Sequence, residues 1–167
     1  MEFRRAKEKD IADIMKIIMQ AQNYLKKQGI DQWQNGYPNE ETIKMDILRK
    51  NAYVLVQENI IIGTVAVLFE KEENYEKIYE GDWMGKGEYA TIHRLAIESK
   101  HKGLGFSSIM IRQIERMAFK KGMKSIRVDT HRQNLSMQRL LEKEKFTYCG
   151  IIYLKDGDER MAFEKIL

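Results

Sequence analysis

Apolar residues recur every three to four positions in several stretches of this chain, which is the period of a helix with one buried face. The pattern over 11–25 predicts a helix that Asp10 caps and Gly29 ends. The pattern over 40–50 predicts a second helix with Asn39 as its cap. The inward positions of this second helix are Ile43, Ile47 and Leu48.

Short runs rich in β-branched and aromatic residues predict strands between the helices. The predicted strands are 2–5, 52–57, 60–70, 92–97, 125–130, 146–153 and 160–166, and two further helices are predicted at 106–121 and 134–143. Only Glu58 and Asn59 separate the second strand from the third, and the last two strands turn around Asp156-Gly157, so both pairs are predicted as hairpins. This order of elements predicts an α+β (mixed α/β) fold in which helices cover a mixed sheet.

The chain has no repeat, linker or low-complexity tract, and its length predicts one domain over residues 1–167. Residues 71–87 form a long polar stretch that is acidic and carries Tyr75, Tyr79 and Trp83. Connections of this length in a compact domain are often functional. We therefore predict a long loop with a role in the protein's function at 71–87.

A glycine-rich turn leads from the strand ending at Ile97 into the third helix and reads Lys100-His101-Lys102-Gly103-Leu104-Gly105-Phe106-Ser107-Ser108. The first backbone N–H groups of a helix have no partner within it and lie at the positive end of its dipole, so this turn is suited to bind a phosphate. Gly103 and Gly105 have no Cβ, which allows close approach. The turn lacks the ending of a Walker loop and the third glycine of a dinucleotide fingerprint, so an ordinary strand-to-helix turn stays open.

Composition narrows the class of protein. Apolar residues make up 43% of the chain and charged residues 32%, as in a globular protein. No apolar run is long enough for a membrane span, and residues 1–8 contain no apolar signal core. Cys149 is the only cysteine, which excludes an internal disulfide, and we expect a cytoplasmic protein. The net charge of +4 comes from basic residues scattered among acidic ones, so we expect no nucleic-acid and no membrane partner. One cysteine and three histidines supply no zinc-site spacing, and we expect no metal.

The order of elements and the residues around the turn together resemble the GNAT superfamily of N-acetyltransferases. The family signature Arg/Gln-x-x-Gly-x-Gly/Ala is matched by Lys100-His101-Lys102-Gly103-Leu104-Gly105. The run 92–97 resembles the family's fourth strand, and 127–130 with 134–141 resembles its fifth strand and following helix. Three positions depart from the pattern: Lys100 keeps the charge of Arg, Lys145 replaces a glycine, and Leu141 replaces a tyrosine that protonates the leaving thiolate in many members.

The resemblance implies a GNAT-like fold with a central twisted mixed sheet of about seven strands flanked by about four helices. It implies transfer of an acetyl group from acetyl-CoA to a primary amine of a small molecule or peptide, by direct attack in a ternary complex. It further implies that N–H groups of the turn hold the pyrophosphate, that the strand edge at 95–97 pairs with the pantetheine amides, and that Asn134 binds the cofactor arm. The implied cofactor-binding residues are Leu95, Ala96, Ile97, Lys100, Lys102, Gly103, Leu104, Gly105, Phe106, Ser107 and Asn134.

Amine attack requires a neutral amine, yet a free alkyl amine has a pKa near 10.4, so a base must remove a proton. The candidate bases are Glu88, His93 and His131. Strict alternation along the strand predicts that Thr91, His93 and Leu95 share one face and that Ile92, Arg94 and Ala96 share the other.

In the family, two loops flank the acceptor, and here they correspond to 30–38 and 71–87. The candidate substrate-binding residues in them are Trp33, Tyr37 and Trp83. Their aromatic faces, together with the carboxylates of the second loop, favour a cationic amine. The acceptor stays open between a small amine or polyamine, an amino acid, an aminoglycoside and a peptide N-terminus. Whether the protein forms a homodimer also stays open.

Two other classes of function stay open. A non-catalytic acyl-CoA-binding or sensor module is compatible with Leu141 at the tyrosine position, and it predicts cofactor binding without turnover. An RNA-binding domain is suggested by the basic net charge and predicts salt-sensitive RNA binding, although no clustered basic patch supports it.

Overall fold

The structure is a computed structural model that describes all residues from Met1 to Leu167. The strands are β1 (Glu2–Arg5), β2 (Ala52–Gln57), β3 (Ile60–Leu68), β4 (Tyr89–Ile97), β5 (Ser125–Thr130), β6 (Thr147–Tyr153) and β7 (Glu159–Ile166). The α-helices are α1 (Ile11–Lys27), α2 (Glu40–Leu48), α3 (Phe106–Lys120) and α4 (Leu135–Lys143). Short 3₁₀ turns occupy Glu8–Asp10, Glu73–Tyr75 and Ser99–His101.

All seven strands join one sheet in the order β1-β2-β3-β4-β5-β7-β6. β4 and β5 pair in parallel, whereas β1–β2, β2–β3, β5–β7 and β6–β7 pair antiparallel, so the sheet is mixed. The predicted mixed α/β fold with seven strands and four helices is confirmed. The predicted third strand is two residues too long, because β3 ends at Leu68.

Both predicted hairpins form. Glu58 and Asn59 connect β2 to β3 with φ values of 50° and 64°, the positive values that a two-residue turn of this kind requires at both central positions. β6 and β7 pair across a turn in which Gly157 adopts a φ of 89°. The residues of the turns therefore determine where both hairpins reverse the chain.

The helix ends follow the predicted signals in two of three cases. The side chain of Asn39 accepts a hydrogen bond from the N–H of Thr42 at 2.9 Å and caps α2, and Gly29 follows the end of α1 with a φ of 68°. The prediction that the side chain of Asp10 caps α1 is wrong. Its carboxylate accepts hydrogen bonds from the N–H of Lys7 at 2.8 Å and the guanidinium of Arg4 at 2.7 Å, because the 3₁₀ turn before α1 brings both donors to it.

The inward face of α2 differs from the prediction at its end. Ile43 is 3% exposed, but Leu48 is 74% exposed and the helix stops there, two residues before the predicted end. Leu48 comes five residues after Ile43, which turns it well away from the buried face at about 100° per residue. Asp46, three residues after Ile43, occupies a buried position instead.

Strict alternation along β4 is also wrong. Arg94 has a φ of 55°, in the left-handed region, so the two-residue repeat is interrupted immediately after His93. The registered pairing of β4 with β5 covers only Tyr89 to Ile92, opposite Ser125 to Val128. The last part of β4 therefore lies outside the parallel ladder.

The chain divides into two compact units. The first contains Met1–Val67 and Arg94–Met110, and the second contains Leu68–His93 and Ile111–Leu167. The core of the first unit contains Ala6, Ile14, Ile17, Ile18, Ile43, Ala52, Val54, Ile61 and Ala96. A cluster in the second unit contains Tyr75, Ile152 and Ala162, with Ile78, Trp83, Tyr89 and Leu154 packed against it. The single domain over 1–167 stays a prediction, and no helix is both long enough and apolar enough to cross a membrane.

Candidate active site

The glycine turn between β4 and α3 has backbone N–H groups without backbone partners and open space beside its two glycines. Gly103 and Gly105 have φ values of 77° and 84°, and a Cβ added to either would have no atom within 4 Å. The N–H groups of Gly103, Leu104 and Gly105 donate to no backbone carbonyl. The first N–H groups of α3 add to them, since helix starts lack internal partners. This arrangement supplies both the donors and the room that a phosphate group needs.

A network of polar side chains braces the start of this turn. Glu98 accepts hydrogen bonds from the N–H of Lys100 at 2.9 Å and from Gln20 at 3.2 Å, and its Oε2 lies 2.7 Å from Nδ1 of His101. Gln20, on α1, in turn accepts from the N–H of Ser99 at 2.8 Å. Burial raises the pKa of Glu98, but the hydrogen bonds from His101, Gln20 and Lys100 lower it below its ordinary value. The turn is therefore held from α1 as well as from β4.

Two lysines of the turn carry its positive charge. Lys100 and Lys102 are both exposed, and the Nζ of Lys102 lies 4.0 Å from the ring centroid of Tyr24 on α1. Burial lowers the pKa of Lys102. Phe106, the first residue of α3, contacts the ring of His101 edge-on at 5.8 Å. The side chains around the turn thus pack beside it and leave the glycine face open.

The end of β4 holds the residues predicted to pair with the pantetheine amides, 95–97. Ala96 and Ile97 are buried, and the N–H of Glu98 donates to the carbonyl of Ile62 on β3 at 2.9 Å. Leu95, Ala96 and Ile97 follow the last registered pair of β4 with β5. A strand segment outside the ladder is able to pair with an extended amide chain.

In the second unit, His93 pairs with a carboxylate. Its Nε2 lies 3.1 Å from Oε2 of Glu72, and the two side chains are 20% and 16% exposed. An ionised carboxylate only accepts hydrogen bonds, so a neutral His93 donates from Nε2 and keeps its lone pair on Nδ1. This arrangement is that of a base with an orienting partner.

The long loop packs on a buried tyrosine. The hydroxyl of Tyr75 donates to Asp129 at 2.6 Å, and burial together with the charge of Asp129 raises the pKa of Tyr75 well above its ordinary value. Trp83 donates from Nε1 to the carbonyl of Tyr75 at 2.9 Å, and the guanidinium of Arg127 lies 4.2 Å from its ring centroid. Trp83, predicted to contact substrate, is thus engaged in the packing of the loop.

In the first unit, Arg94 binds one of the two remaining loop positions, Tyr37. Its guanidinium donates to Asp46 at 2.8 and 2.7 Å and to the hydroxyl of Tyr37 at 2.7 Å. Burial lowers the pKa of Arg94, but Tyr37 and Asp46 raise it above its ordinary value overall. Tyr37 keeps 44% of its surface exposed, whereas Trp33 packs against the core of the unit.

The sequence matches a known family. The family model described as Acetyltransferase (GNAT) family matches residues 18–146. The chain belongs to this family. A GNAT acetyltransferase from Streptococcus agalactiae 2603 has 35% identity and a TM-score of 0.91, with 99% of this chain and 95% of that chain covered. The structure confirms the resemblance drawn from the glycine turn, and the protein is an acyltransferase.

More distant structures share the fold of this GNAT acetyltransferase. The PaiA N-acetyltransferase from Thermoplasma acidophilum, in complex with coenzyme A, is 17% identical with a TM-score of 0.74, and 99% of this chain and 98% of that chain are covered. The ribosomal-protein-alanine N-acetyltransferase from Brucella melitensis is 15% identical with a TM-score of 0.71, and both chains are fully covered at 100%. No curated protein matches the sequence.

The remaining predicted positions of the acetyltransferase lie at strand and helix ends. Glu88 is exposed immediately before β4, and its carbonyl accepts from the N–H of Lys124 at 2.7 Å. His131 follows β5, and its Nδ1 accepts from the N–H of Gln133 at 3.1 Å. The side chain of Asn134 caps α4. Leu141, at the tyrosine position of the family pattern, is fully buried.

Sequence reasoning missed Glu72, Asp46 and Arg94 as members of these clusters. For Arg94 the available signal was its charge inside an apolar strand. For Asp46 it was an acidic residue on an inward helix face, three positions after Ile43. Glu72 had no such signal, because it is one of several acidic residues in the loop. No group of three or more His, Cys, Asp or Glu side chains is placed to hold a metal ion.

Proposed function

We propose that this GNAT family member transfers the acetyl group of acetyl-CoA to a primary amine of a small molecule or peptide, by direct attack in a ternary complex. The observation that carries the proposal is the glycine turn, where the N–H groups of 103–105 donate to no backbone carbonyl and a Cβ added to Gly103 or Gly105 would meet no atom within 4 Å. Coenzyme A carries a pyrophosphate, and such a row of donors at a helix start suits that group. The coenzyme A bound to the Thermoplasma acidophilum relative supports the same cofactor here.

The chain offers further groups to hold the cofactor. Lys100 and Lys102 would add charge beside the phosphates, and the backbone at 95–97 would pair with the amides of the pantetheine arm. Asn134 would donate a hydrogen bond to that arm. A backbone N–H of Ala96 or Ile97 would polarise the thioester carbonyl. When bound, acetyl-CoA supplies an acetyl group activated as a thioester.

His93 is the base that this proposal favours. Its Nδ1 is the nitrogen left to accept a proton when Nε2 faces Glu72 at 3.1 Å. His131, at the end of β5, is the second candidate. Glu88 precedes β4 on an exposed segment, whereas the implied cofactor contacts begin at the far end of the strand, so it is the weakest of the three. Leu141 supplies no acid, so the thiolate would take its proton from water or from another acid.

The acceptor is proposed to be a cationic amine. Tyr37 offers an exposed ring whose hydroxyl is held by Arg94 at 2.7 Å, and an aromatic face attracts a cation. Trp33 and Trp83 would shape the two loops, since each packs against its own unit. We also propose a cytoplasmic location, because the single Cys149 stays a free thiol.

Calorimetric titration with acetyl-CoA, followed by an amine panel with detection of released thiol, tests the function. Tight binding with amine-dependent release supports the transferase. Binding without release from any amine would favour the acyl-CoA-binding module, and absence of binding would overturn the assignment of the glycine turn.

Gly103→Asp places a side chain and a negative charge in the turn and should weaken acetyl-CoA binding strongly, by about 100-fold or more. Gly157→Asp is the matched control, because Gly157 also has a positive φ, at 89°, and no atom within 4 Å of an added Cβ. Equal affinities of the two variants would remove the phosphate assignment.

A further inference from the structure

Glu72 pairs with His93, the proposed base. We infer that Glu72 is a positioning residue that holds the His93 imidazole in the tautomer with its lone pair on Nδ1, an inference that rests on the proposed function. The two side chains meet at 3.1 Å, and both are mostly shielded from water. A carboxylate at this distance stabilises the imidazolium that forms when the ring accepts a proton.

Glu72 is itself held in place. Its Oε1 accepts hydrogen bonds from the N–H and the side-chain amide of Asn74, at 3.3 and 3.2 Å. Its own N–H donates to the hydroxyl of Tyr89 at 3.1 Å, which ties the loop to the first residue of β4. With Oε1 and the backbone both fixed, Oε2 is directed at His93. A carboxylate that only contacted solvent would not need these hydrogen bonds to fix its orientation.

The surroundings restrict His93 as well. The Tyr75 ring lies 6.1 Å from the His93 ring, and the Tyr75 hydroxyl is committed to Asp129 at 2.6 Å. The titratable groups around the imidazole are therefore Glu72 and Tyr75, with Tyr89 and Asp129 each one hydrogen bond further away. Because Tyr75 donates to Asp129, Glu72 is the carboxylate paired with the ring.

The chemistry follows from the tautomer. A proton leaves the attacking amine for Nδ1 of His93, a C–N bond forms, and the thioester C–S bond breaks with its electron pair staying on sulfur. The positive charge that develops on the ring faces the carboxylate of Glu72. Without Glu72 the ring is free to place its hydrogen on Nδ1, and that form cannot accept the proton there.

Glu72→Gln removes the charge and keeps the shape. We expect kcat to fall about 10- to 100-fold, with the affinity for acetyl-CoA measured by calorimetry unchanged. Glu73→Gln is the matched control, since the adjacent Glu73 is exposed and pairs with Lys155 at 2.7 Å on the surface. It should leave kcat unchanged.

A second measurement does not depend on turnover. Nitrogen-15 shifts of His93, at a pH where the ring is neutral, should show hydrogen on Nε2 in the native protein and a mixture of tautomers in Glu72→Gln. Hydrogen on Nδ1 in the native protein, or a kcat of Glu72→Gln equal to that of Glu73→Gln, would overturn the inference. Failure of the proposed function is distinct, because the native protein would then release no thiol with any amine while the tautomer result stood.

Discussion

The guanidinium of Arg94 and the carboxylate of Asp46 share two hydrogen bonds, from Nε at 2.8 Å and from Nη2 at 2.7 Å. Arg94 reaches this position with a left-handed backbone, which costs a residue with a side chain about 1–2 kcal/mol. Asp46 lies on the inward side of α2, and the two side chains are 11–12% exposed. The pair thus connects the interruption of β4 to a helix of the same unit.

Breaking this pair from one side should destabilise the protein. Asp46→Asn leaves the Arg94 charge without its counterion, and we expect the free energy of unfolding to fall by about 3 kcal/mol. Urea unfolding followed by circular dichroism measures the change. Glu40→Gln, which breaks the exposed Glu40–Lys44 pair on the same helix, should leave the stability unchanged. Similar losses of unfolding free energy in both variants would mean that the buried pair stabilises the protein no more than the exposed pair.

Glu164 should make stability depend on pH. Burial raises the pKa of this carboxyl, but hydrogen bonds from Ser125, the N–H of Gly85 and Arg127 lower it below its ordinary value. A carboxyl whose pKa is lower in the folded chain stabilises the fold above its unfolded pKa, about 4.3, and this stabilisation is lost as the pH falls through the folded pKa.

Glu164→Gln is therefore expected to lower the free energy of unfolding by about 3 kcal/mol at pH 7, because it leaves Arg127 buried without its partner. The difference from the native protein should shrink as the pH falls below about 4. Denaturant titrations at pH 7, 5 and 3 measure both effects. Exposed Glu142→Gln serves as the control and should show no pH-dependent difference. A difference that stayed constant with pH would contradict the prediction.

Asn134 has a structural role that must be separated from its proposed contact with the cofactor. Its side chain accepts from the N–H of Met137 at 3.2 Å and caps α4. Asn134→Ala should lower stability by about 1 kcal/mol and raise the KM for acetyl-CoA about three- to tenfold. Asn134→Asp keeps the capping oxygen but loses the amide donor, so stability should recover while the KM stays high. A normal KM in Asn134→Asp would assign the residue to capping alone.

Cys149 should be unreactive in the folded protein. Burial and the charge of Glu164 raise the pKa of its thiol, which donates to the carbonyl of Thr147 at 3.4 Å. Because the thiolate is the reactive form, we expect reaction with DTNB at pH 8 to be slower by about tenfold or more than in the urea-unfolded chain. The unfolded chain should then show one thiol, as its single cysteine requires. Rapid reaction of the native protein would show that the site opens readily.

Local signals predicted much of the fold. Asn39 and Gly29 mark helix ends, and Glu58 with Asn59 marks a hairpin, because each acts on its own few neighbours. The prediction failed at Asp10, where a donor six residues away competes for the carboxylate. The prediction of strict alternation also failed at Arg94. The left-handed backbone there breaks the two-residue repeat of the strand, and the side chain pairs with Asp46, 48 residues away.

The candidate site divides in the same way. The amino-acid sequence by itself determined the glycine turn, the family, and the periodic elements on either side, since these depend on residue types at short, fixed spacings. Tertiary structure decided that His93 faces Glu72 across 21 residues, that Trp83 packs on Tyr75, and that Tyr37 meets Arg94. Side chains far apart in the chain meet only after strands and helices have packed, and their pairing reflects which buried polar groups find partners there.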